Sequence, residues 1–134
     1  MKALRAAGIS VVFVPDCGML ADLAVTDQGV TVAPMHRAAW AGQEMPAGSP
    51  PHQAQLQGDF FCAPFGDASA DSAPLHGWPA NAHWTVTEAT TAGLVAVLDR
   101  RAMGARVTKT LTLRASPVRP RLRGAWGRRS HPDR

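Results

Sequence analysis

The first third of the chain consists of short apolar runs separated by turn signals, a pattern that predicts strands. Residues 9–14 (ISVVFV) are β-branched and aromatic and are followed by Pro15, which indicates a buried strand. Residues 19–25 form a second apolar segment. Residues 27–29 then predict a turn, and residues 30–33 continue as the partner strand.

The middle of the chain is dominated by breakers. Residues 41–58 and 64–82 are rich in proline and glycine and predict two loops, with a short strand at residues 60–63 between them. A helix-like spacing of apolar residues occurs only at residues 1–7. Long helices are therefore not expected.

The last third has a cleaner alternation. Residues 83–88 (HWTVTE) and 106–113 (RVTKTLTL) alternate, and residues 94–98 (LVAVL) read as a buried strand between them. Turn signals at 90–93 and 100–104 join the three segments. Three strands with short connections predict an antiparallel meander, so the fold class is all-β.

Charge divides the chain into a body and a tail. Residues 114–134 hold seven arginines and one aspartate, a net charge of +6, whereas residues 1–113 carry a net charge of −2. The sequence predicts one domain over 1–113 and a basic, disordered tail over 114–134. The tail could also be an arm that binds nucleic acid or anionic lipid. The acidic body has no basic face to extend it, so a nucleic-acid partner is not expected.

Several other classes find little support. Two cysteines are too few for a disulfide scaffold, and no apolar run is long enough to span a membrane. Lys2 and Arg5 precede an apolar run, as in a signal peptide, but Asp16 interrupts it. We therefore expect a cytoplasmic protein with no membrane partner. Neither Cys-x-x-Cys nor His-x-x-x-His spacing occurs, so no metal is expected.

Two loop segments concentrate the polar and aromatic chemistry. They are residues 57–66 (QGDFFCAPFG) and 75–81 (LHGWPAN). Histidine, asparagine, carboxylate and aromatic side chains in loops on a β-scaffold are typical of a site for a polar ligand.

The order of these motifs resembles the aldose 1-epimerase (galactose mutarotase-like) family. The resemblance covers about residues 8–115 and rests on Gly58, Pro64 and Gly66, then on His76-Gly77-Trp78, then on the strand that begins at Trp84. It implies an antiparallel β-sandwich of the galactose mutarotase type, a small-molecule sugar as ligand, no cofactor, and interconversion of sugar anomers.

The resemblance also assigns residue roles. His76 would be the catalytic acid, because a histidine has a reference pKa near neutrality. Trp78, Asn81, Asp59 and Arg37 would bind the substrate. From the residues alone other roles stay open: His76 could cap its loop, Trp78 could belong to the core, and Asn81 and Asp59 could be plain loop residues.

The chain departs from the family in length. Family members are roughly two or three times longer, and their catalytic glutamate and second active-site histidine lie in the later part. The resemblance therefore implies an N-terminal portion of the family's sandwich, with little activity alone and a tendency to self-associate through unpaired strand edges. The alternative functions are a non-catalytic carbohydrate-binding module and nucleic-acid binding through the tail.

Overall fold

The computed structural model describes residues 1–114, which form two antiparallel β-sheets joined by a long irregular segment. The first sheet has the order β1-β2-β3-β4, and the second has the order β5-β6-β7. The strand bounds are Lys2–Ala6, Ile9–Val14, Met19–Asp27 and Val30–Val32 for β1 to β4, and Trp84–Ala89, Gly93–Leu98 and Thr108–Thr112 for β5 to β7. The prediction of an all-β chain is confirmed.

The first sheet begins earlier than the sequence pattern indicates. The helix-like spacing at residues 1–7 was misleading, because this segment forms β1 and pairs antiparallel with β2. Leu4 lies opposite Val11 in that ladder, and both side chains are buried. The tertiary contact of an apolar residue with the neighbouring strand thus outweighs a weak local preference.

The second sheet is the meander that the alternation predicts. Along β6, Leu94, Ala96 and Leu98 are buried while the residues between them are partly exposed. Side chains of a strand point alternately to its two faces, so one face of the sheet covers a core.

The two sheets share that core. Leu4, Val11 and Phe13 of the first sheet belong to the same cluster as Trp84 and Leu94 of the second. Trp84 is fully buried, and its indole N–H donates to the carbonyl of Pro79 over 2.9 Å. Burial of a side chain of this size contributes about 1.5–3 kcal/mol, and its satisfied N–H avoids a desolvation penalty.

The segment between the sheets contains two short helices, α1 (Pro51–Ala54) and α2 (Trp78–Asn81). The predicted strand at residues 60–63 is wrong, because this run is irregular and joins no ladder. Its first residue, Phe60, packs instead against a second apolar cluster that consists of Val14, Cys17, Met19 and Ala21.

A glycine fixes where this segment meets β3. Gly58 has φ +65°, and a Cβ there would lie 1.4 Å from the carbonyl oxygen of Leu20. Only glycine allows this approach. The backbone N–H of Asp59 then donates to the same carbonyl over 3.1 Å, which ties the loop to the first sheet.

The extent of the described residues bears on two further expectations. The basic tail predicted at 114–134 lies outside them, apart from Arg114. Across residues 1–114, none of the helices has the length and apolarity needed to cross a bilayer.

Candidate functional site

His76 lies at the end of the loop that begins at Gly66, and two hydrogen bonds hold these residues together. The backbone N–H of His76 donates to the Gly66 carbonyl over 2.7 Å. The backbone N–H of Gly66 donates to Nδ1 of His76 over 3.0 Å. His76 also has φ +71°, a backbone conformation that costs non-glycine residues on the order of 1–3 kcal/mol and is concentrated at functional sites.

His52 is buried in α1 and is held by Asn81. The side-chain oxygen Oδ1 of Asn81 lies 2.9 Å from Nδ1 of His52. It also accepts a hydrogen bond from the backbone N–H of His52 over 3.1 Å. The amide nitrogen of Asn81 donates to the carbonyls of Leu75 and Gly77. Asn81 therefore joins α1 to the loop that carries His76.

Burial is the main influence on the ionisation of His52. It lowers the pKa of the imidazole, the hydrogen bond that His52 donates to Asn81 raises it, and the nearby His76 lowers it further. The balance is downward, so His52 is neutral at neutral pH. Its side chain keeps a lone pair on one ring nitrogen.

The two histidine rings form a cluster with two phenylalanines, which we call the histidine cluster: His52, His76, Phe60 and Phe65. The ring centres of His52 and His76 are 5.2 Å apart, and Phe60 is 4.9 Å from each of them. Phe65 lies 5.0 Å from His76 and is 80% exposed. The cluster thus combines two imidazoles with an aromatic face open to solvent.

Asn81 and Asp59, two of the sequence-derived candidates, are engaged within the protein. Both polar ends of the Asn81 side chain are occupied as described, and the residue is 8% exposed. Asp59 accepts hydrogen bonds from the backbone N–H of Leu20 and, over 3.2 Å, from the ammonium of Lys109. In this arrangement Asn81 positions His52, and Asp59 links the loop to β3 and β7.

Trp78 and Arg37 have different surroundings. Trp78 is partly buried against the main core, and the guanidinium of Arg100 lies 4.9 Å from its ring centre. Arg37 is exposed and forms an isolated β-bridge with Gln57. Neither residue belongs to the histidine cluster. Of the five candidates only His76 is a member, and Asn81 adjoins the cluster through its hydrogen bonds to His52.

Three members of the cluster, His52, Phe60 and Phe65, were not among the sequence-derived candidates, and Phe60 was assigned to a strand. His52 follows Pro50 and Pro51. Proline is common at the start of a helix, so these two residues were the sequence signal for α1, the helix that carries His52. Phe65 stands between Pro64 and Gly66, where an aromatic residue in a turn has little chance of burial. Contact between residues 24 positions apart, such as His52 and His76, leaves no local signal.

Other chemistries have weak geometry within residues 1–114. No group of three or more histidine, cysteine or acidic side chains there is arranged to hold a metal ion. Cys17 is buried, and burial raises the pKa of its thiol to about 11, so it is a poor nucleophile. A surface cavity of about 350 Å³ carries Arg100, Arg101 and Arg106 but none of the histidine cluster.

Comparison of the chain with protein-family models, with curated proteins and with solved structures finds no match.

Proposed function

We propose that this chain is an aldose 1-epimerase-like protein that binds a small sugar at the histidine cluster. The observation that carries the proposal is the exposed ring of Phe65 beside the imidazole of His76. Sugar recognition needs an aromatic face for the apolar side of the pyranose and polar groups for its hydroxyls. The cluster offers both.

The order of motifs supports the family part of the proposal. Residues 57–66 and 75–81, which carry the resemblance, are the segments that hold Phe60, Phe65, His76 and Asn81. Two antiparallel sheets that share one core are compatible with a mutarotase-type sandwich. A cytoplasmic location is part of the same proposal.

The chemistry proposed for the site is opening and closing of a pyranose ring. A base takes the proton of the anomeric hydroxyl, the bond to the ring oxygen breaks, and reclosure from the other face gives the other anomer. His76 is the residue that the resemblance assigns to the ring oxygen. Arg37 and Trp78 stay candidate sugar contacts, whereas Asn81 and Asp59 act by positioning other groups.

A non-catalytic carbohydrate-binding module is the second candidate. The observation that favours it is the engagement of Asp59 by Leu20 and Lys109, which leaves the histidine cluster without a free carboxylate from this loop. Such a module would bind sugars at the same exposed ring and leave the anomer ratio unchanged.

Titration with methyl α-D-galactoside and methyl α-D-glucoside tests the binding. These glycosides cannot open their rings, so binding is measured apart from any reaction. We expect calorimetry or NMR to detect binding, and Phe65→Ala to weaken it by about tenfold, since stacking of an aromatic side chain is worth about 1 kcal/mol or more.

Phe61→Ala is the matched control, because Phe61 is exposed but lies near Trp84 rather than the histidines. It should bind as the wild type does. Absence of binding to either glycoside, or equal weakening by both substitutions, would contradict the proposal.

A further inference from the structure

We propose that His52 is the base of this site and carries one proton between the two oxygens of the anomeric carbon, while His76 stays neutral and donates a hydrogen bond. The inference rests on the proposed function and adds a residue and a division of roles to it. It follows from the hydrogen bonds that fix which nitrogen of each ring bears hydrogen.

Asn81 determines the tautomer of His52. Its amide nitrogen donates to the carbonyls of Leu75 and Gly77, over 2.9 Å and 2.8 Å, which fixes the orientation of the amide. The amide oxygen must then face His52, and an oxygen of this kind only accepts. Nδ1 of His52 is therefore the donor over 2.9 Å, and Nε2 of the neutral ring holds the lone pair.

Gly66 determines the opposite tautomer in His76. A backbone N–H can only donate, so Nδ1 of His76 must accept the 3.0 Å bond from Gly66. The proton of the neutral ring then lies on Nε2. Two imidazoles whose centres are 5.2 Å apart thus present one acceptor nitrogen and one donor nitrogen.

Nε2 of His52 is the ring nitrogen left without a partner within the described residues. Residues 1–114 provide it with no hydrogen-bond partner, and among them no fully buried side-chain nitrogen or oxygen lacks one. The rest of His52 is packed, with the residue 4% exposed overall. Within residues 1–114 Nε2 is thus the nitrogen of this ring that a ligand can engage. The downward pKa shift caused by burial keeps this nitrogen unprotonated at neutral pH.

These tautomers suggest a balanced route for ring opening. Nε2 of His52 takes the proton of the anomeric hydroxyl, the electrons of that O–H bond form the C=O bond, and the bond from the anomeric carbon to the ring oxygen breaks. The imidazolium of His52 then returns the proton to the ring oxygen. Nε2–H of His76 stabilises the negative charge that develops there without leaving its nitrogen.

His76 is unsuited to giving up its proton. Loss of Nε2–H from a neutral ring would leave an anionic imidazolate, and the Gly66 N–H occupies the nitrogen that a cationic ring would need to protonate. The role of His76 is that of a neutral electrophile, whereas the family resemblance implies a proton-donating acid. Because both sugar oxygens are bonded to one carbon, a single base can serve both.

Long-range ¹⁵N–¹H NMR on the full chain tests the tautomers directly. We expect Nδ1–H for His52 and Nε2–H for His76 at neutral pH. The reverse tautomer in either ring would overturn the inference whatever the activity.

Polarimetry with freshly dissolved α-D-glucose and α-D-galactose tests the roles. Acid–base assistance typically gives ~10²–10⁴-fold, and we expect the low end because a base with a lowered pKa is weak. His52→Gln should return the rate to that of buffer. His76→Gln keeps an N–H donor and should lose less of the rate than His76→Phe, which keeps none.

Each outcome separates the two proposals. Binding of the methyl glycosides without a histidine-dependent rate would overturn the role of His52 and leave the sugar site intact. If the wild type binds neither glycoside, both the sugar site and the role of His52 are wrong. A rate abolished by His76→Gln as fully as by His52→Gln, with the glycoside still bound, would mean that His76 transfers a proton and that the inference is wrong.

Discussion

At the scale of single residues, the site depends on side chains whose hydrogen bonds are fixed by the backbone. Asn81 connects His52 to two carbonyls of the 75–81 loop, and Gly66 fixes His76. Such contacts bias a ring toward one tautomer more than they add to stability, since a net hydrogen bond is worth only about 0.5–1.5 kcal/mol.

The lowered pKa of His52 predicts how stability depends on pH. The unfolded chain has a histidine pKa of about 6.5, and the folded value lies below it because of burial. Between these values the unfolded state binds more protons. The contribution of His52 to stability is therefore fully present above about pH 6.5 and is lost as the pH falls toward the folded pKa. Urea unfolding at pH 7.5 and 5.5 should show this loss in the wild type and a smaller loss in His52→Gln.

His36→Gln is the control, because it removes an exposed histidine. It should keep the wild-type difference between the two pH values. An equal loss of stability in the wild type and in His52→Gln would contradict the link between this pH dependence and His52.

Asp67, whose pKa is lowered mainly by hydrogen bonds from Ser69, affects stability in a separate pH range. Its contribution is present above the unfolded carboxyl pKa of about 4 and is lost at lower pH.

At the scale of elements, the loop that carries His76 is held by a close backbone approach. Gly77 has φ +78°, and a Cβ on it would lie 2.1 Å from the carbonyl oxygen of Ala63. The position of His76 in the histidine cluster thus depends on the next residue, Gly77, because only glycine fits this close approach.

Gly77→Ala should destabilise the chain more than Gly104→Ala. Both glycines have nearly the same φ, +78° and +77°, but a Cβ on Gly104 meets no atom within 4 Å. Gly104→Ala therefore incurs a positive-φ backbone cost of roughly 1–2 kcal/mol. Gly77→Ala adds about 1–3 kcal/mol of overlap and further backbone strain, because Gly77 has ψ 174°, a region that side chains other than glycine rarely adopt. Chemical denaturation measures both, and equal losses would show that the Ala63 contact is unimportant.

At the scale of the whole molecule, Lys109 of β7 links the second sheet to the first. Its ammonium donates to the Gly18 carbonyl beside β3 and to Asp59, and it lies 5.6 Å from the ring centre of Trp84. Its side chain is 14% exposed. Because Asp59 also accepts the N–H of Leu20, one lysine connects β7, β3 and the loop that leads to Phe60.

Lys109→Met keeps most of the apolar stem of the side chain and removes the charged ammonium. We expect a loss of about 1–2 kcal/mol in the free energy of unfolding, most of it from the Gly18 carbonyl, since solvent screens the partly exposed Asp59. Lys2→Met is the matched control, because Lys2 is exposed on β1. If the two substitutions had equal effects in urea unfolding, Lys109 would not connect the sheets.

The sequence predicted most of the strands and little of the site. Alternation in residues 83–88 and 106–113, with a buried run at 94–98 between them, revealed the meander, because one face of each strand meets the core. The approach of His52 to His76 depends instead on Asn81, on the left-handed backbone of His76 and on Gly77. These are contacts between distant loop residues, and no periodicity encodes them.

The central claim is that a sugar binds at the histidine cluster. The most direct test follows the ring ¹H–¹³C signals of the histidines while methyl α-D-galactoside is added to the full chain. We expect the signals of His52 and His76 to shift together with one dissociation constant, and those of the exposed His36 and His83 to stay unchanged. Unchanged signals from His52 and His76 at saturating glycoside, or shifts confined to His36 and His83, would contradict the claim.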